Sequence, residues 1–283
     1  MASKTNIENL QFTIRTTSDL FQMKRVNRTV WNVSHSVCLK NDGSRYMLLT
    51  SENIAGKKRA IARMRAMVHP VTLALFDGLC TNHTGKMTGV ISFSTYCGLN
   101  PHCLQRAAIK GSICEKCFAF RQTKRQASTR AKLIRNTLLI NSEKYPANLF
   151  PIVDRVYSQF RFESFGDLMS ENQAANYLQW AAVNKRAHCA LWTKNPWHIS
   201  AALNAGSVKP GNINIIFSSN FINKIESNIF KLYPFIDKLF TVFTDNAAAA
   251  ACNARINCGK RSCRKCRRCY LKNTGKYVNE LLK

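Results

Sequence analysis

Nine of the chain's twelve cysteines fall into two groups. Cys97, Cys103, Cys114 and Cys117 form the first; Cys252, Cys258, Cys263, Cys266 and Cys269 form the second. Clustered thiols in a chain with no evident export signal point to metal ligation before disulfides, because a reducing compartment keeps cysteines free. The run Cys263-Arg-Lys-Cys266-Arg-Arg-Cys269, with one remote cysteine, has the spacing of four-thiolate iron–sulfur ligation. A zinc knuckle uses the same spacing, since both metals accept four thiolates. Cys252 is taken as the remote ligand and Cys258 as the surplus cysteine. In the first group Cys114 and Cys117 have the two-residue spacing that chelates one metal, and Cys97 and Cys103 complete a set of four. The expected cofactor is a four-iron, four-sulfur cluster, with zinc as the alternative. His102 could substitute as a ligand, but beside Cys103 it is expected to face solvent. Cys38, Cys80 and Cys189 read as small core hydrophobes.

These residues need a scaffold, and the apolar pattern supplies one. Strands are predicted over 90–94, 160–164, 188–193, 212–217 and 238–243. Helices are predicted over about 121–141 and 149–157, over 170–185, from 196 onward and over 222–232, with Ser170 and Gln173 forming a capping box. Near-continuous apolar strands are those of a sheet covered on both faces. Strand followed by helix, five times over, implies right-handed parallel β/α units. The expected fold class is α/β, a partial or full parallel β/α barrel with a Cys-rich metal-binding C-terminal tail. The expected division is 1–82, a basic N-terminal segment packing on the barrel; 83–246, the barrel core with its Cys loop; and 247–283, the tail. Within 1–82, short strands at 31–34 and 46–50 flank an Asn41-Asp42-Gly43 turn, and a basic helix covers 53–68. Sites in such barrels sit at the C-terminal ends of strands. There this chain places Cys97, Asp167, Lys194, Ser218, Ser219, Thr244 and Asp245. Asp167 and Lys194 are the candidate catalytic residues.

Lys and Arg number 42 and Asp and Glu 15, a formal net charge of +27. Self-repulsion on this scale favours a polyanionic partner, and nucleic acid is the usual one. Three dense clusters are the expected phosphate contacts: Lys57, Lys58 and Arg59; Arg121, Lys124 and Arg125; Arg264, Arg267 and Arg268. Phe120 and Tyr270 could stack on unpaired bases, while Phe118 is expected in the core. No apolar run approaches the roughly 20 residues that span a bilayer. The polar start, Met1 to Leu10, predicts no secretory signal. No membrane partner and a cytoplasmic location are therefore expected. A P-loop, a serine elbow and an H-E-x-x-H motif are all missing from the sequence, which excludes those enzyme classes.

One stretch has a familiar order. Gly85-Lys86-Met87-Thr88-Gly89-Val90-Ile91-Ser92-Phe93 leads into Cys97, Cys103 and Cys117-Phe118-Ala119. This resembles the bacteriophage gene-product-88 family, in which a lysine–glycine strand precedes a C-P…C…C-Y-A motif. Phe162-Glu163-Ser164-Phe165-Gly166-Asp167 is similar to that family's strand ending in S-G-D, with one residue inserted. Tyr177-Leu178-Gln179-Trp180, Leu191-Trp192-Thr193-Lys194 and Cys263…Cys266…Cys269-Tyr270 resemble its remaining motifs. The likeness covers roughly residues 83–270 in the family's own order. The family's layout is in turn similar to that of radical S-adenosylmethionine enzymes, with a cysteine loop after the first barrel strand and an acidic strand end after the second. The radical enzymes' C-x3-C-x2-C spacing is absent here. The resemblance implies a phage-type metal-cluster protein that binds nucleic acid. The alternative it implies is a radical-type iron–sulfur enzyme acting on a nucleic acid or nucleotide. In that alternative Cys103, Cys114 and Cys117 hold the reactive cluster, and S-adenosylmethionine is the cofactor. Asp167 meets the cofactor's amino group, and Lys194 meets a carboxylate or phosphate as a point charge.

Overall fold

The computed structural model describes residues 12–38, 46–81, 85–154, 156–259 and 261–282. The chain divides into two compact units, Met1–Asp77 with Tyr145–Val153, and Gly78–Lys144 with Asp154–Lys283.

The first unit is an antiparallel meander of β1 (Phe12–Arg15), β2 (Asp19–Arg25), β3 (Val30–Cys38) and β4 (Tyr46–Ala55). The strands expected at 31–34 and 46–50 fall in the first halves of β3 and β4, which run further. The turn expected at 41–43 lies outside the described residues. Alternation in β2 and β3 turns Phe21, Met23, Trp31 and Val33 inward, where they pack with Ala60 and Met64 of α1 (Lys57–Met67). The segment 145–153 joins this unit. Ile152 N donates to Arg15 O at 2.7 Å, and Thr72 Oγ1 donates to Leu149 O at 2.8 Å. The helix expected over 149–157 is absent among the described residues; a single 3-10 turn, Ala147–Leu149, stands there. Pro151 is the reason, since it lacks the N–H a helix needs and pushes the residue before it out of the helical region.

The second unit is built on a seven-stranded sheet. Its strands are β5 (Cys80–Thr81), β6 (Ile91–Phe93), β7 (Gln159–Phe162), β8 (His188–Thr193), β9 (Ile213–Ser218), β10 (Lys238–Phe243) and β11 (Tyr277–Leu281). From β6 to β11 every neighbour is parallel and follows in chain order; β5 runs antiparallel on β6. The fold is therefore mixed α/β with a parallel sheet. The residues expected as a tail are no appendage, because β11 pairs along β10 from Leu239–Tyr277 to Phe243–Leu281. Only five residues carry that strand, directly after a polar cysteine run, so its apolar pattern is short.

Helix α2 (Pro70–Gly78) belongs to the first unit through Asp77; the helices of the second, among the described residues, are α3 (Pro101–Ala107), α4 (Phe118–Arg125), α5 (Ala127–Ser142), α6 (Glu171–Val183), α7 (Pro196–Asn204), α8 (Ile229–Leu232), α9 (Asn246–Ala251) and α10 (Cys263–Cys266). The long helix expected over 121–141 is two, parted at Gln126 (φ −122°, ψ 87°). The helix expected over 222–232 is only its last turn, α8. Asn223, in the left-handed region at φ 58°, stands where its start was expected. On one face of the sheet Phe160 and Phe162 of β7 pack against Trp180 and Tyr177 of α6, with centroid distances of 5.2 and 4.6 Å. The opposite face of the same strand therefore carries Arg161, while Glu163 lies just past the strand's end. Among the described residues no helix is long and apolar enough to cross a membrane.

Candidate functional site

The loop after β6 carries the first cysteine group. It passes through a 3-10 turn, Cys97–Leu99, into α3, which is capped by Asn100, whose side chain accepts from His102 N at 3.0 Å. The same Asn100 donates through Nδ2 to the carbonyls of Asp167 and Leu168 at 3.0 and 3.1 Å, tying this loop to the one after β7. Cys114 and Cys117 lie on the next turn, and Cys117 starts α4.

The four thiols converge. Cys97 donates to the Cys117 sulfur, and this bond with burial pushes the Cys97 thiol far up. The same bond, helped by the Phe120 and Ala119 N–H groups at the start of α4, draws Cys117 down to about 6 despite its burial. Cys103 and Cys114 are pushed up, first by burial and then by charge on neighbours that include Cys117 and Asp167. All four line one cavity of about 770 Å³ with Glu163, Asp167 and Lys194. Among the described residues no group of three His, Cys, Asp or Glu side chains stands ready-made to hold a metal ion.

Both carboxylates sit on the loop after β7. Glu163 is 2 % exposed and takes a left-handed backbone, φ 59°. It accepts from Thr95 N (3.1 Å), Thr95 Oγ1 (3.0 Å), Gln173 Nε2 (2.7 Å) and Tyr177 OH (2.5 Å). Burial pushes its carboxyl up to about 7, against the pull of those donors. Asp167 accepts from Thr193 Oγ1 at 2.6 Å and from the backbone of Lys194 at 3.0 Å, and burial raises its carboxyl too. Lys194 turns its ammonium to Ser218, 2.6 Å from Oγ. The loops after β6, β7, β8 and β9 are thus joined at one end of the sheet, where the sequence places them.

His102 does not face solvent as expected. Its ring packs on Trp197 at 5.0 Å, its Nε2 is buried without a hydrogen-bond partner, and burial draws it down to about 4. Position on α3 decides this, since its neighbour Cys103 turns to the same cavity.

The second group is arranged differently from expectation. Cys252 stands apart, its Sγ donating to Asn223 O at 3.3 Å. Cys258 instead joins Cys263, Cys266 and Cys269, each near enough that its charge acts on others of the set. Lys86, Arg161 and Glu280 also line the cavity here; Lys86 was read only as part of the lysine–glycine motif, and the other two were not singled out from the sequence. Arg161 had a readable signal, being a charged residue between two inward phenylalanines of a strand. Cys258 had none, because its spacing to Cys263 matches no ligand pattern.

Of the expected phosphate contacts, Lys57, Lys58, Arg59, Arg121, Lys124, Arg125 and Arg264 are exposed. Arg267 and Arg268 are half-buried. Arg267 is the left-handed cap of α10, and Arg268 Nη1 is bound to Thr274 O at 2.8 Å. Phe118, expected in the core, is 59 % exposed, because α4 turns Ala119 and Thr123 inward instead. Tyr270 is the reverse, 4 % exposed against Val90, Ala190 and Ile216. Cys189 is fully buried as expected, whereas Cys38 and Cys80 are half-buried.

No protein-family model matches the chain, no curated protein matches it, and no solved structure matches it.

Proposed function

We propose that this chain is an iron–sulfur enzyme of the radical S-adenosylmethionine type that acts on a nucleic acid or nucleotide. One observation carries the reading: four thiols, two buried carboxyls and a lysine converge on one cavity at the C-terminal ends of parallel strands. A purely structural metal has no need of that cavity or of two buried carboxyls beside it.

The donor set fits. Four soft sulfurs line one cavity, and the Cys97 thiol with the N–H groups at the start of α4 draws Cys117 below the usual thiol range. Cys103, Cys114 and Cys117 would hold the cluster, with Cys97 beside them as fourth ligand or as hydrogen-bond donor to Cys117. When bound, such a cluster supplies one electron at a time. The chain's own residues do the rest. Asp167, fixed by Thr193 and the Lys194 backbone, offers a carboxylate to a cationic amino group. Lys194, steadied by Ser218, sets a positive charge for a carboxylate or phosphate. Glu163 holds the loop between Thr95 and α6 in place.

The sequential strand order and the single cavity shared by both cysteine groups support the finer reading that the sheet is part of a β/α barrel. The substrate class rests on α4. Phe118, Ala119 and Gln122 of that helix line the cavity, and Arg121, Lys124 and Arg125 of the same helix are exposed, so a polyanion could meet cations at the cavity's edge.

The test is anaerobic loading with iron and sulfide, reduction, and addition of S-adenosylmethionine. Cleavage of the cofactor is expected in the native chain and lost in Cys117→Ser. A loaded, reduced chain that leaves S-adenosylmethionine intact would refute the enzyme reading.

A further inference from the structure

The segment between α9 and β11 does not lead away from the sheet; it is laid along the face that carries the cavity. Cys263 N donates to Lys86 O at 2.7 Å, ahead of β6. Gln159 Nε2, at the start of β7, donates to Cys263 O at 3.1 Å. Asn214 Nδ2 of β9 donates to Cys269 O at 3.0 Å. These anchors lie at the N-terminal ends of the strands, away from the loops that carry Cys97 to Cys117.

The backbone then gathers the sulfurs. One helical turn puts Cys263 and Cys266 three residues apart, on the same side. Arg267 follows in the left-handed region, φ 57°, and reverses the chain so that Cys269 returns toward them. Cys258 comes from the β11 side, its N–H on Asn279 O at 3.0 Å. Its sulfur accepts from Lys86 Nζ at 3.0 Å, and the same ammonium reaches Glu280 at 2.8 Å. Cys258, Cys263 and Cys269 line the cavity that the first cysteine group lines.

We infer that Cys258, Cys263, Cys266 and Cys269 hold a second four-thiolate metal centre, open to the same cavity as the first, with Cys252 taking no part. The charge balance favours it. Four thiolates around one metal leave excess negative charge, and Lys86 and Arg161 face these sulfurs. Packing favours it too, since the segment presents few apolar side chains beyond Tyr270, and metal affinity then supplies its folding energy. Four sulfurs accept either an iron–sulfur cluster or a single zinc, and sulfide content separates the two. The inference does not depend on the catalytic reading above.

The full chain, prepared without oxygen, is loaded with iron and sulfide or with zinc alone, then alkylated with iodoacetamide and read by mass spectrometry. Metal is expected to protect Cys258, Cys263, Cys266 and Cys269 and to leave Cys252 reactive. Cys258→Ser should lose about half of the bound metal, and Cys252→Ser none. In a chain carrying Cys103→Ser, Cys114→Ser and Cys117→Ser, one centre's worth of metal should remain and vanish when Cys258→Ser is added. Protection of Cys252 in place of Cys258 would overturn the ligand set. A triple variant that binds nothing would overturn the second centre. Loss of S-adenosylmethionine cleavage with protection intact bears only on the first site.

Discussion

Glu163 and Gly166 make one device at the end of β7. A methyl at Gly166 would lie 2.2 Å from Thr95 Oγ1 and 2.6 Å from Glu163 Oε2, so only glycine lets this loop close over the carboxyl. The carboxyl is enclosed, and its titration becomes a stability term. In the unfolded chain it loses its proton near the ordinary value of 4.5; in the folded chain it keeps it to about 7. Within that window the folded state binds the extra proton, so stability falls as pH rises, by up to about 3 kcal/mol above it. Glu163→Gln is expected to remove this component. Thermal unfolding of both chains from pH 5 to pH 8 measures it, and parallel curves would show that the carboxyl ionises freely in the fold.

Elements position that residue, and α6 is the main one. Ser170 accepts from Gln173 N at 3.1 Å, and Gln173 in turn reaches Glu163. The reciprocal bond of the expected capping box goes one residue earlier, from Met169 N to Gln173 Oε1 at 2.8 Å. Ser170→Ala should cost about 1 kcal/mol in chemical denaturation, and Ser170→Asp should recover most of it. An alanine chain as stable as the native one would mean that Asn141 and Gln173 hold the helix start without the cap. The legible part of the fold follows the same logic. The strands β8 and β10 could be read to the residue because each is an apolar run ending in a polar loop, and the ends of β7 and β8 already marked Asp167 and Lys194 as neighbours. What could not be read depended on partners far away in the chain. β11 is recognisable only beside β10. Cys258 is recognisable as a partner of Cys263 only because Lys86 and Asn279 hold it there. The helix expected at 149–157 was an error of periodicity read across a proline.

At the scale of the whole molecule, the +27 charge predicts how the proposed binding of nucleic acid responds to salt. Affinity for duplex DNA should fall with a log–log slope of about −0.9 for each phosphate neutralised. Replacing Arg121, Lys124 and Arg125 by Ala should flatten that slope by roughly that amount per lost contact. Replacing Arg268 should leave it nearly unchanged, because its guanidinium is engaged with Thr274. Titrations at low and moderate salt with single- and double-stranded DNA and RNA decide this, and an unchanged slope in the triple variant would take α4 out of the interface. The position of β11 carries a further consequence, one of timing. Its residues follow the cysteine segment in the chain, so during synthesis β10 waits as an open edge until Tyr277–Leu281 arrive to pair with it. An open edge recruits stray strands. Its closure also pins Cys258 through Asn279, so the same late step that seals the sheet sets that thiol in place.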